Sequence, residues 1–267
     1  MASTLPSRPL AVVTGASSGI GYELARQFTE HGYDVLITAE NAEIHQAAQK
    51  IERPGVTVSS FEADLAKRGG VESLWTWIKS FSRPIEAIAI NAGVGVGGPF
   101  AETSLEEELN LVQLNVTSTV HLAKLVVQDM LQTGRGRILF TSSIASEMRS
   151  PFEAVYGASK SFIQSFAHSI RAELKENGIV VTSLLPGPTE TNFFHRAGMD
   201  DTRVGAQKKD DPAQVAKQGF DALMSGRSQV QAGGIKTRMM GYAARVVPEV
   251  VKEKMHWRMS EPGGARH

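Results

Sequence analysis

Alternation is what most restricts the fold of this 267-residue chain. Short apolar, β-branched runs recur at residues 10–14, 33–38, 56–61, 85–90, 136–141, 179–185 and 228–231. Between them lie segments with apolar residues three and four apart, such as Leu24 and Phe28, or Val71, Leu74, Trp75 and Ile78. The short continuous runs read as strands buried on both faces, and the longer periodic segments read as helices. Strand and helix alternate without internal repeats or a linker, so one parallel sheet covered on both sides by helices is expected.

Composition narrows the chemistry. Hydrophobic residues make up 42% and charged residues 21%, enough apolar material for a real core. The formal net charge is zero, which gives no support for a nucleic-acid partner. Cysteine is absent, so disulfides, thiolate zinc sites and cysteine nucleophiles are excluded. The seven histidines show no metal-ligand spacing, and no catalytic metal is expected. Residues 1–9 lack the apolar centre of a signal peptide, and no stretch approaches the ~20 apolar residues of a membrane span. A cytoplasmic protein without stable membrane insertion is the expectation.

The first strand runs into Gly15-Ala16-Ser17-Ser18-Gly19-Ile20-Gly21 and then into a helical pattern. In that context glycines let backbone approach a pyrophosphate, and the helix start offers free N–H groups and the positive end of its dipole. Dinucleotide binding is expected there. Glu40 stands about where an acidic residue meets the ribose hydroxyls of NAD; otherwise it is a solvated loop residue. Asp64, before Leu65, either meets an adenine amino group or caps the next helix. The fourth strand ends in Asn91-Ala92-Gly93 and further glycines, at the edge where open parallel sheets bind ligands.

Ser104 and Glu107 have capping-box spacing at the start of a long helix reaching about residue 132. Asn115 falls in its middle, where an Asn competes for backbone bonds; it marks either a distortion or site, or a satisfied buried amide. Strand 136–141 delivers Ser142 and Ser143 at its carboxyl end. Tyr156 and Lys160 are four apart on a helix over 154–176, hence on one face. An ammonium near a phenol favours phenolate and lowers its pKa, which makes Tyr156 a candidate acid/base with Ser143 beside it. Pro186-Gly187-Pro188-Thr189 turns off the next strand end, and residues 190–211 read as a long, irregular, lid-like loop. Within that loop His195 and Arg196 read as exposed loop residues rather than as a site for an acidic group.

Together these stretches resemble the short-chain dehydrogenase/reductase (SDR) family, over residue 10 to about 231. The resemblance rests on Thr14-Gly15-Ala16-Ser17-Ser18-Gly19-Ile20-Gly21, Asp64-Leu65, Asn91-Ala92-Gly93, Asn115, Ser143, Tyr156-x-x-x-Lys160 and Pro186-Gly187. It implies a single α/β Rossmann-type domain, doubly wound, with about seven parallel strands in three αβα layers and both sites within residues 1–235. It also implies roles. Tyr156 is the acid/base, Lys160 lowers its pKa and bonds the nicotinamide ribose, and Ser143 holds the substrate oxygen. Asn115 keeps a helix distortion and a water in a relay through Lys160. Gly15, Ser17, Ser18, Gly19, Ile20, Gly21, Glu40, Asp64, Leu65, Asn91, Ala92, Gly93, Pro186, Gly187 and Thr189 join Tyr156 and Lys160 around the cofactor. Relatives often carry Arg at the place of Glu40, so this chain leans to NAD over NADP.

The expected activity is NAD(P)-dependent interconversion of a secondary alcohol and a ketone, or an alcohol and an aldehyde. The alternatives are a non-catalytic cofactor-binding scaffold and an epimerase or lyase using the same Tyr and Lys. Phe100, Met148, Phe152, Phe193 and Phe194 suggest a partly apolar substrate pocket. A homodimer or homotetramer is implied, through the helices over 104–132 and 154–176. Residues 236–267 form an extension rich in Met, Val, Arg and Lys, expected to pack or to contact a partner, with 261–267 disordered.

Overall fold

A computed structural model describes residues 8–234 and 249–266. Seven strands form one sheet: β1 (Leu10–Thr14), β2 (Asp34–Ala39), β3 (Val58–Glu62), β4 (Ile85–Ile90), β5 (Gly136–Thr141), β6 (Ile179–Pro186) and β7 (Gln229–Ala232). Their order is β3-β2-β1-β4-β5-β6-β7, and every neighbouring pair is parallel. The chain winds outward from β1 to β3, then returns to the other side of β1 with β4. The carboxyl ends of β1 and β4 therefore flank the crevice where the winding reverses. β3 starts two residues later than its β-branched run suggests, because Arg53 and Val56 close a tight antiparallel bridge around Gly55, whose φ is +76°.

The strands bury both faces by simple alternation. On β1, Leu10 and Val12 point to one side and Ala11 and Val13 to the other. The first side packs on α3 (Arg68–Ser80), α5 (Ser118–Thr133) and α6 (Ala154–Leu174); the second packs on α1 (Gly19–Glu30), α2 (Glu43–Ile51) and α9 (Pro212–Met224). Leu24, Phe28, Leu74, Ile78 and Leu122 are almost fully buried. At about 1.5–3 kcal/mol for each such side chain, these two layers hold the sheet ends in fixed positions. Among the described residues this is one three-layer αβα arrangement.

Three segments depart from the simple pattern. The long helix after Ser104 is broken in its middle: α4 (Leu105–Val112) passes through a π turn (Gln113–Thr117) into α5. Ser104 caps it by accepting from the Glu107 N–H. The segment 190–211, expected to be irregular, contains two short helices, α7 (Phe193–Arg196) and α8 (Arg203–Ala206). They share an apolar cluster of Phe194, Ala197, Met199 and Val204, so the loop carries a small core of its own. Its ends are tied together, since Asp210 N–H donates to Pro188 O and Glu190 N–H to Asp210 O, both at 2.8 Å.

The extension supplies α10 (Glu249–Ser260). The stretch 235–248, with the expected domain limit near 235, lies outside the described residues. Residues 261–266, within the stretch expected to be disordered, carry backbone hydrogen bonds in this structure. Gly263 N–H donates to Asp201 Oδ2 at 2.9 Å and Ala265 N–H to Asp201 O at 3.0 Å. Two backbone donors thus share Asp201.

Candidate active site

A cavity of about 600 Å³ opens at the carboxyl ends of β1, β4, β5 and β6. Its floor begins with the turn after β1. Gly15 adopts φ +65°, and a Cβ there would lie 2.8 Å from Ala92 Cα. A Cβ on Gly21 would lie 2.1 Å from Gly15 O. The turn therefore needs glycine for backbone reasons, and it leaves a shallow cradle at the start of α1. Ser18, the N-cap of α1, makes no side-chain cap bond, so the helix start presents its N–H groups toward the cavity. This cradle fits a pyrophosphate-bearing cofactor.

Asn91 binds the strand ends together. Its Nδ2 donates to Thr14 O and Gly15 O at 3.1 and 3.3 Å, and its Oδ1 accepts from Thr141 Oγ1 at 2.9 Å. Thr14 Oγ1 accepts from the Asn91 and Ala92 N–H groups, both at 3.0 Å. Thr14 opens the glycine motif without a role assigned from the sequence, and Thr141 carries no sequence signal beyond lying at a strand end.

Tyr156, Lys160 and Ser143 meet at the cavity wall. Ser143 leaves β5 beside Tyr156, where its hydroxyl favours the ionised phenol; its Oγ accepts from the Ala145 N–H at 3.1 Å. Lys160 Nζ sits 5.7 Å from the Tyr156 ring centre and donates to Thr141 O at 3.0 Å. Burial pushes the Tyr156 pKa up; the Ser143 hydroxyl opposes this, and the charge of Glu153 adds to it. Burial pushes Lys160 down to about 8. The ammonium was expected to lower the phenol, but in this structure desolvation of the phenol outweighs any such pull. Phe193 of the lid stands against Tyr156 with ring centres 5.2 Å apart.

Asn115 lies behind the cavity wall rather than on it. Its Oδ1 accepts from Val94 N–H and its Nδ2 donates to Val94 O, both at 2.9 Å, and Nδ2 also donates to Ser159 Oγ at 3.1 Å. The amide thus grips the β4 loop as a strand neighbour would, from the π turn that brings it there. A Cβ on Gly93 would meet Asn115 Oδ1 at 3.0 Å and Lys160 Nζ at 3.3 Å, so this glycine keeps the two side chains adjacent. Ser159, which donates to Tyr156 O at 2.7 Å, was not anticipated either.

Of the residues assigned to the cofactor, Gly15, Ser17, Ser18, Gly19, Ile20 and Gly21 line the cavity, as do Glu40, Leu65, Asn91, Ala92 and Gly93. Pro186, Gly187 and Thr189 line it too. Asp64 does not. Its Oδ1 accepts from Ala66 N–H at 3.0 Å and its Oδ2 pairs with Lys67 at 3.0 Å, which leaves Ala63 and Leu65 on the cavity surface. Its carboxylate closes the local turn instead of pointing inward. Glu40 is paired with Arg196 of the lid. Its neighbour His195 faces outward to Asp200 at 2.6 Å.

The short chain dehydrogenase family model matches residues 9–201, most of the chain. The chain belongs to the short-chain dehydrogenase/reductase family. SDR relatives include rat "Dehydrogenase/reductase SDR family member 7B", 29% identical over 90% of this chain and 78% of its own. Sulfoacetaldehyde reductase 2 of Chromohalobacter salexigens is 28% identical over 75% of this chain and 81% of its own. Among solved SDR structures, a short-chain dehydrogenase from Sphingobium yanoikuyae in complex with NADPH superposes with a TM-score of 0.80. It is 25% identical and covers 95% of this chain and 96% of that one. The SDR fold, a nicotinamide cofactor and an oxidoreductase activity follow for this chain. No helix among the described residues is long and apolar enough to cross a membrane.

Proposed function

We propose that this SDR interconverts an alcohol and its carbonyl, a secondary alcohol and a ketone above all, with Tyr156 as acid/base. The observation that carries this reading is the buried phenol, flanked by Ser143 and underlain by Lys160, on the wall of the cavity that holds the glycine cradle. The nicotinamide cofactor supplies or accepts the hydride when bound. Tyr156 donates its phenolic proton to the oxygen of a carbonyl being reduced, or takes the hydroxyl proton of an alcohol being oxidised. A phenol holds its proton at neutral pH, which suits the donor role in reduction. Ser143 donates to the same developing oxyanion. Lys160, held by Thr141 O, offers a positive charge beneath the phenol, and Asn115 fixes the loop beside both. A relay of protons from Tyr156 through Lys160 is the route that leads away from the substrate.

Glu40 argues for NAD as a free carboxylate, but its pairing with Arg196 changes the local charge. A guanidinium beside it matches the 2′-phosphate of NADP. We therefore assign use of both cofactors, with the Glu40–Arg196 pair setting their ratio. Exposed Phe100, Leu105, Leu109 and Phe162 on or next to α4 and α6 support a homo-oligomer through those helices, which light scattering on a sizing column tests. A cytoplasmic location belongs to the same proposal, and cell fractionation tests it. The activity is tested by a panel of alcohols and ketones with NAD(H) and NADP(H), followed at ~340 nm. Cofactor binding without turnover across that panel would move the reading to a non-catalytic nucleotide-binding protein.

A further inference from the structure

Helix α10 lies about a hundred residues beyond the loop after β5, yet one side of it is fastened to that loop along its length. Glu253, His256, Trp257 and Ser260 repeat at spacings of three and four, so they share a face. Arg149 Nη1 pairs with Glu253 Oε2 at 2.9 Å. Trp257 packs edge-on against Phe152, with ring centres 4.6 Å apart. Glu153 Oε2 accepts from Ser260 Oγ at 3.1 Å and faces His256 Nε2 at 3.1 Å. Ser260 Oγ and His256 Nε2 are 3.2 Å apart.

The last three side chains form a closed polar cluster. Ser260 is 2% exposed, and the Glu153 and His256 side chains are 8% and 11% exposed. An apolar contact tolerates sliding, but a buried carboxylate, imidazole and hydroxyl are satisfied in one register only. The helix is therefore located to within a hydrogen-bond length at the position three residues before Tyr156. Its far end is tied to the lid, through Asp201 and through Arg203 Nε donating to Gly264 O at 3.0 Å. Phe152, in the left-handed region at φ +63°, is held from both sides, by Trp257 and by Gly98 N–H on its carbonyl. Met255 and Met259 of this helix line the cavity, alongside Met148, Phe194 and Val204, and Lys252, His256 and Ser260 of the same helix also border it.

We propose that α10 is the specificity wall of the substrate pocket, seated by Glu153, His256 and Ser260, and that it selects carbonyl compounds and alcohols with a large apolar substituent. The proposal rests on the alcohol–carbonyl reading of the Tyr156 site. His256, Glu153 and Ser260 are positioning residues: they set where Met255 and Met259 stand. Methionine suits such a wall, because its unbranched thioether adapts to irregular apolar shapes.

The test is the ratio of kcat/KM for 2-undecanone to that for 2-butanone, measured on the full chain. His256→Ala should lower that ratio about tenfold, carried by KM of the long ketone, as expected when an apolar wall loses its seat. His256→Gln, which keeps a donor for Glu153, should restore most of it; a merely structural role would not produce this split. Met259→Trp leaves the cluster intact and takes up cavity space, so it should lower the same ratio by excluding the long chain. An unchanged ratio in both His256→Ala and Met259→Trp overturns the proposal. If wild type turns over neither ketone, the Tyr156 reading has failed separately. The wall is then judged by displacement of anilinonaphthalene sulfonate with 2-undecanol: displacement from wild type but not from Met259→Trp supports it, and equal displacement from both overturns it.

Discussion

Around Gly15 and Gly21 the cavity wall is backbone, with the Asn91 side chain as its one distant tie, whereas around α10 it is side chain held by side chain. The glycine turn itself is local in sequence. The turn and the start of α1 arise within about a dozen residues, and close approach to Gly15 O and to Ala92 fixes the residue types. The second region joins residues 149–153, 199–204 and 253–265, whose mutual positions depend on one buried polar cluster, one ring contact and the bonds of Asp201 and Arg203 to the chain end. A cofactor shared across many substrates is met by geometry with little room to vary. A substrate is met by groups that can be exchanged without disturbing the sheet.

The contrast yields measurable differences. Tyr156→Phe removes the proton from the site where both regions meet, and should cost about 10³-fold in kcat while cofactor binding, followed by fluorescence, stays intact. Gly21→Ala acts on the backbone side alone. Its Cβ would press on Gly15 O at 2.1 Å, so the cradle must shift, and the cofactor KM should rise on the order of tenfold to a hundredfold. Comparable weakening of the long ketone by that variant would erase the contrast.

Lys160→Met separates function from stability. Burial holds Lys160 at about 8, below its ordinary 10.5, so the folded state disfavours the ammonium. That cost is fully present below pH 8 and fades as pH rises from 8 to 10.5, where the unfolded chain also loses its proton. At pH 7 the variant should therefore be more stable, on the order of 1–2 kcal/mol in urea melts, though inactive. The gain should vanish by pH 10.5, and a gain independent of pH would contradict the assigned cause. The smallest effect is expected from Arg196→Ala. It frees Glu40 and should shift the NADP-to-NAD ratio of kcat/KM toward NAD by on the order of fivefold.

These two regions were unequally legible. The strand runs, the glycine turn, the Ser104 cap and the spacing of Tyr156 and Lys160 are local patterns, and each lies where its residues suggest. The oddity of Asn115 correctly pointed to a distortion, because an Asn in a helix interior needs partners outside the helix. Of the two readings of Asp64, the local one is what its bonds to Ala66 N–H and Lys67 display, since an aspartate after a strand serves a turn as readily as a ligand. The lid looked irregular because two helices of four residues are too short to show periodicity. Arg196 on Glu40 and Ser260 on Glu153 span 156 and 107 residues, and no window along the chain contains both partners.

The π turn at Gln113–Thr117 also changes the phase of the helix that contains it. A π turn holds one residue more than an α turn, which rotates everything downstream by roughly 100° about the axis. Leu111 before the turn faces the Tyr156 cluster, whereas Leu122 and Val126 after it face the sheet. Deleting a single residue from that turn would leave a straighter helix with Leu122 and Val126 turned off the core. Such a deletion should be tolerated far less well than the loss of a residue from the loop at 134–135, although both are one codon long. The helix therefore works as a phase shifter, giving one face to the chemistry and another to the fold.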